Sequence, residues 1–200
     1  MNYEYISSAQ IKKAYHLDEL CPSNTAQKEN IASAIRSVYF YMDIMKALEN
    51  TNDEEMKAIN RKTIMILSYS VIDGIVACLG FKMQNRCYNC KKPCSHYCIG
   101  MFAESEKKNV YNSFKNADEF LRKIKVINLD RNANIFYKHY REIRNNVHLT
   151  SNSKVITRDT AYSKNQVCYA TDFMDSFIKM LYRNYINFIN ANNCIRRGGI

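Results

Sequence analysis

The sequence predicts an all-α protein: an up-down helical bundle of four to five main helices, with a cysteine-rich insertion between the second and third. Three observations predict it. Apolar residues recur at three- and four-residue steps over several long stretches, which is the period of one helix face. Only five Gly and two Pro occur among 200 residues, too few for the many turns of a short-strand fold. Breaks between the periodic stretches are short and carry helix-cap residues, and short connections make neighbouring helices antiparallel. A chain of 200 residues fits one domain, or one domain with a small insertion. It is long enough to bury a sizeable core.

The elements follow in chain order. Residues 1–25 read as a lead-in, with a short helix over Ser8–Tyr15 and a break at Cys21-Pro22-Ser23-Asn24-Thr25. The domain proper spans 26–192. Its first strong helix covers Ala26–Glu49, where Ile31, Ile35, Val38, Tyr39, Met42, Met45 and Leu48 make one apolar stripe. Asn50-Thr51-Asn52-Asp53 ends it and caps the next. The second helix covers Glu54–Met83, charged at its start and then apolar nearly all round, with Asp73 inside the apolar part. A buried carboxylate there needs a partner. Residues 84–100 form the cysteine-rich insertion. A short helix is expected over Ser105–Phe114. Asn116, followed by Glu119, reads as the start of another. Asp130 caps a further helix carrying Ile135, Phe136, His139, Tyr140, Ile143 and Val147, with Tyr140, Ile143 and Val147 as its apolar side. Residues 149–170 read as a long polar loop with a turn of structure around Val155. Thr171-Asp172 then cap a final helix to Asn192, whose stripe is Ala170, Phe173, Met174, Phe177, Ile178, Leu181, Tyr185, Phe188 and Ile189. Residues 193–200 make a frayed basic tail.

Thr63–Phe81 forms an apolar run with one charge, Asp73, just long enough to span a bilayer. Its polar interruptions and strongly polar flanks read instead as the buried central helix of a bundle, so no membrane is expected. The start of the chain, Met-Asn-Tyr-Glu-Tyr, lacks the positive-then-apolar pattern of a signal peptide. A cytoplasmic chain with eight reduced cysteines is the expectation.

Chemistry concentrates in two places. One is Cys87-x2-Cys90-x3-Cys94-x3-Cys98, with His96 inside it. Four thiols in so short a span can wrap one tetrahedral ion, and zinc suits thiolate and imidazole ligands. Four cysteines leave no open coordination position, so the expected site is a structural clip. His96 could replace one cysteine, and two disulfides or an iron–sulfur cluster are the alternatives. The other is Tyr140-Arg141-Glu142-Ile143-Arg144-Asn145-Asn146-Val147-His148. Arg144 and His148 are four apart and Arg141 lies one turn earlier, so a helix brings the three to one side. Paired guanidinium groups beside an imidazole suit the handling of phosphate. A plain basic helix end, favoured by the helix dipole, gives the same pattern. The formal net charge of +10 fits a polyanionic partner, and equally a well-solvated surface.

A helical bundle whose penultimate helix ends in Arg-Asn-…-His resembles the HEPN superfamily (higher eukaryotes and prokaryotes nucleotide-binding domains). That family's motif is an arginine, often followed by a polar residue, then four to six residues, then a histidine. Arg141 and His148 have the family's spacing, with Glu142 following the arginine; Arg144-Asn145 has the typical pair, with three residues before His148. The long apolar second helix is also similar to the family's, with Asp73 where a carboxylate is often seen. The resemblance covers about 26–192 and leaves the cysteine cluster outside the shared core. It implies a homodimer with facing motifs and a metal-independent ribonuclease of toxin–antitoxin, abortive-infection or phage-defence type, with an antitoxin protein as a further partner. His148 would move the proton, Arg144 with Arg141 would hold the scissile phosphate, and Asn145 would orient either. The competing expectation is a non-catalytic HEPN-like module that binds nucleotides or partners. A third is a zinc-dependent nucleic-acid-binding regulator built on Cys87–Cys98.

Overall fold

The computed structural model describes residues 6–21, 25–88, 114–145 and 162–197, as backbone alone at 25, 81–88, 114–116, 140–145 and 192–197. The protein is all-α: every regular element among these residues is a helix and none is a strand. The elements are α1 (Ser8–Ala14), α2 (Leu17–Leu20), α3 (Thr25–Leu48), α4 (Glu54–Tyr88), α5 (Phe114–Lys123), α6 (Arg131–Asn145) and α7 (Lys164–Arg197).

Most helix starts have an identifiable cap. At α1, Gln10 N–H donates to Ser7 Oγ at 3.2 Å and Ser7 N–H donates to Gln10 Oε1 at 2.8 Å. This reciprocal box satisfies two backbone donors that a helix end leaves open. Asp53 Oδ1 accepts from Met56 N–H at 2.9 Å and starts α4; Asp130 Oδ1 accepts from Ala133 N–H at 2.8 Å and starts α6. Both aspartates had been read as caps from the sequence.

Several boundaries differ from expectation. Helix α4 runs through Tyr88, past Met83. Gln84 and Arg86 are good helix formers, and no Gly or Pro interrupts before Pro93. Cys87 is therefore helical. Helix α5 begins at Phe114, so Asn116 lies inside it and does not cap it. The rest of the Ser105–Phe114 prediction lies outside the described residues. Helix α7 begins at Lys164, well before Thr171-Asp172. Its cap is a second reciprocal box: Gln166 N–H donates to Ser163 Oγ at 3.3 Å and Ser163 N–H to Gln166 Oε1 at 3.1 Å. Thr171 is buried within the helix, its Oγ1 donating to Val167 O at 3.1 Å. At its far end α7 stays helical through Arg197, into the stretch read as a frayed tail.

The described residues fall into two compact units. The first draws on Met1–Ile11, Glu29–Ile72 and Leu129–Ser176. In it, Tyr39 Oη donates to Asp175 Oδ2 at 2.6 Å, Thr171 Oγ1 lies 3.7 Å from Met42 Sδ, and Glu49 pairs with Lys164. As positions rise on α3 they fall on α7, so these stretches are antiparallel. Asn60 Nδ2 donates to Tyr41 O at 3.0 Å and fastens α4 to α3 after their tight turn. Ile35, Val38, Ile64, Tyr137, Val167 and Met174 are buried there.

The second unit draws on Lys12–Lys28, Asp73–Asn128 and Phe177–Ile200. Its buried residues include Leu17, Leu20, Ile75, Leu79, Leu121, Phe177, Ile178 and Leu181. The lead-in thus supplies core. His16, at φ 53°, bends the chain into α2, and its ring stacks on Tyr182 with centroids 3.6 Å apart and planes 3° from parallel. Lys125, at φ 60°, ends α5. Val126 N–H bonds Leu121 O at 2.9 Å and Lys125 N–H bonds Arg122 O at 3.0 Å, the paired bonds of a Schellman end. Asn184 Nδ2 donates to Val126 O at 3.0 Å and anchors this turn to α7.

Over Glu54–Gly80, α4 is long and apolar enough to cross a membrane, and 61% of its most apolar window is buried inside the protein. A central core helix has both properties.

Candidate functional site

Helix α6 carries the basic motif on its last two turns. Arg141, Arg144 and Asn145 are all helical, and the helix as described ends at Asn145. His148 lies outside the described residues, as does Val147. What α6 does settle is register. Tyr137 is 1% exposed, whereas Arg131, Asn132, Ile135, Lys138 and His139 are exposed. In a helix of 3.6 residues per turn, positions 137, 141 and 144 share one side. Position 142 falls with 135, 138 and 139 on the opposite side. The expected apolar side, Tyr140, Ile143 and Val147, lies outside the described side chains; the buried residue described on α6 is Tyr137. Ile135, counted among the apolar set, is 58% exposed.

The inward register is held by aromatic packing within the first unit. The Tyr137 ring lies 6.3 Å from Tyr69 of α4 and 6.3 Å from Phe173 of α7. Phe136 meets Tyr169 edge-on at 4.1 Å and Phe173 at 4.9 Å. These ring contacts fix the rotation of α6 about its axis at Phe136 and Tyr137. A small apolar cavity sits beside them, lined by residues that include Ser68, Tyr69, Phe136 and Phe173. It has room for about one water molecule, so it cannot admit a nucleotide.

The same unit has a positive field around Glu49. The Lys164 ammonium donates to its carboxylate, and Lys164, Arg61 and Lys57 together hold that carboxyl below its ordinary value, with slight burial opposing them. At the start of α7, burial raises the Tyr162 phenol above its ordinary value. Asp73, marked from the sequence as a buried carboxylate, is half-buried in the second unit, and its Oδ1 is shielded from solvent.

Of the cysteine cluster, Cys87 is helical at the end of α4, and Cys90, Cys94, His96 and Cys98 lie outside the described residues. Among the described residues no three His, Cys, Asp or Glu side chains gather as metal ligands. Sequence reasoning had not singled out Tyr137 as the residue that orients α6. Its aromatic neighbours come from α4 and α7, and no local spacing reveals them. Compared with family models, curated proteins and solved structures, the chain matches none.

Proposed function

We propose that this protein is a metal-independent endoribonuclease of HEPN type, working as a cytoplasmic homodimer in a toxin–antitoxin or phage-defence setting. The observation that carries the reading is the place of Arg141, Arg144 and Asn145. They occupy the last turns of the penultimate described helix, on the register of buried Tyr137, in a chain of net charge +10. A ribose 2′-hydroxyl attacks the adjacent phosphorus, and His148 takes its proton; histidine titrates where this is useful. Arg144, supported by Arg141, neutralises charge building on the phosphoryl oxygens through fixed donors. Asn145 orients the phosphate or His148. The products are a 2′,3′-cyclic phosphate and a 5′-hydroxyl. In the fully dimeric form the two motifs face each other, and an antitoxin protein restrains them.

The test is cleavage of a labelled single-stranded RNA by purified protein with no divalent ion added. His148→Ala should slow cleavage by about 10²–10⁴-fold, the usual share of a positioned proton-transfer group, with helix content and Tm unchanged. Undiminished cleavage by the variant would overturn the proposal. A non-catalytic partner-binding module is the second reading. It is favoured by the exposed Ile135 and Tyr169, 58% and 51% exposed, beside Phe136, and it expects no cleavage by either protein.

We further propose a structural zinc held by Cys87, Cys90, Cys94 and Cys98, with His96 as the alternative ligand, outside the reaction. Purified under reducing, chelator-free conditions, the protein should hold about one zinc per chain, and Cys94→Ser should lower that content. A metal-free preparation would refute it.

A further inference from the structure

The positive charge of the chain belongs to one unit. The stretches of the second unit hold seventeen basic and seven acidic residues, which is the whole net charge of +10. The stretches of the first unit hold twelve of each, so the unit that contains Arg141 and Arg144 is neutral by count. Solubility needs charge but not its segregation. Between Asp175 and Ile200 no acidic residue occurs, whereas Lys179, Arg183, Arg196 and Arg197 do.

Within the second unit the fold gathers some of these cations on one face. Lys179, Arg183, Asn187 and Asn190 are exposed on α7. Steps of four, four and three residues keep them on one side of the helix, over about 16 Å of its length. Packing on either flank turns that side outward. Tyr182 stacks on His16, and Asn184 donates to Val126 O. Positions 182 and 184 each lie about 100° around the helix from 183, so Arg183 stands between the two attachments. Each attachment brings its own cation: exposed Lys13 lies one turn before His16, and exposed Lys125 precedes Val126. Among the described residues Lys13, Lys125, Lys179 and Arg183 form no ion pair. Asp18 is taken instead by Lys28, and Asp118 by Arg122.

We propose that this face of the second unit binds the phosphate backbone of single-stranded RNA. The choice of RNA rests on the ribonuclease reading; the choice of a phosphate backbone rests on the face itself. Lys and Arg that neutralise phosphates release their counterions, which drives binding. The exposed asparagine amides donate to phosphate and sugar oxygens, contacts that fix position and read no sequence. An anionic membrane fits less well. A helix that lies on a membrane sets large apolar side chains beside its cations. The exposed large apolar side chains among the described residues are Phe40, Met56, Ile59, Ile135 and Tyr169, and all five belong to the first unit.

The experiment measures binding of the full-length protein to a fluorescein-labelled 2′-O-methyl RNA of mixed sequence by fluorescence anisotropy. This RNA lacks the attacking hydroxyl and cannot be cut, so the result stands whether or not the protein cleaves. His148→Ala should bind it as tightly as the parent chain. The slope of log affinity against log salt should be about −3, as four phosphate contacts on a single strand require. The double variant Lys179→Gln, Arg183→Gln should bind roughly tenfold more weakly and flatten that slope by about 1.4. Lys46→Gln with Lys62→Gln removes the same charge from the first unit and should leave affinity unchanged. Circular dichroism checks that both double variants fold. Absence of RNA binding by the parent chain would overturn the proposal, as would undiminished binding by the α7 variant or equal losses in the two double variants. Binding to phosphatidylserine vesicles in place of RNA would overturn it as well.

Discussion

Alanine at Arg144 should lower the rate of RNA cleavage by about 10²–10³-fold, the usual loss when one donor to a developing oxyanion is removed. Alanine at Arg141 should lower it by about tenfold, as expected of a supporting charge whose field water partly replaces. The structure makes this comparison informative. Positions 141 and 144 lie on the same helix side as position 137, and position 142 lies with 135 and 139. The two arginine positions are therefore just under one turn apart along α6. Lysine should rescue Arg141 better than Arg144, because a point charge serves a supporting role and a bidentate clamp needs the guanidinium fork. Single-turnover rates at saturating protein check both expectations. If Arg141→Ala has the larger effect, the phosphate belongs one turn earlier on α6. If both have small effects, the motif is a basic helix end.

Phe177→Ala should destabilise the fold by about 3–5 kcal/mol, the range for truncating a fully enclosed phenylalanine. Phe177 is 2% exposed on α7, in the unit that also buries Leu17, Leu79 and Leu181. The loss has two parts: apolar surface returned to water on unfolding, and a cavity its neighbours only partly fill. For a chain of this size that corresponds to a fall in Tm of roughly 10 °C. Phe40, 47% exposed on α3, provides the contrast, since its truncation should stay within about 0.5 kcal/mol. Thermal denaturation followed by circular dichroism measures both. Equal effects at the two positions would mean that the core of the second unit is not packed around Phe177.

These two predictions draw on different amounts of what could be read from the sequence. The stripe containing Phe177 was legible because six of its nine members, from Ala170 to Tyr185, proved buried at helical spacing. The α3 stripe was equally legible, and so were the aspartate caps of α4 and α6. The start of α7 was not. Thr171-Asp172 has cap chemistry, but Thr171 satisfies its hydroxyl against Val167 O inside the helix, an option open to any buried threonine. The true start, Ser163 to Gln166, is a box with glutamine where glutamate is commoner, a pattern present in the sequence itself. The end of α5 was beyond reach, because Lys125 takes the left-handed conformation that turn-spotting assigns to glycine. At the site, the Arg-Asn pair and the helix that carries it could be read directly. The rotation of α6 could not, because it is set by rings from two other helices. Helical spacing alone gave Tyr140, Ile143 and Val147 as a stripe and said nothing of Tyr137.

The two left-handed positions leave this chain unequal freedom to drift. Among the described residues, positive φ occurs at His16 and Lys125 and at no glycine. A non-glycine residue there carries about 1–2 kcal/mol of steric opposition. At 125 the side chain is exposed and the turn is held by backbone bonds and by Asn184. Glycine there would exchange that opposition for its own extra unfolded-state entropy of about 0.5–1 kcal/mol. The exchange is close to even, so descendants can pass through glycine, asparagine or lysine at 125 almost unnoticed by selection. At 16 the same step would remove the ring laid against Tyr182. One turn is written in backbone and is open to substitution; the other is written in a side chain and constrains its lineage.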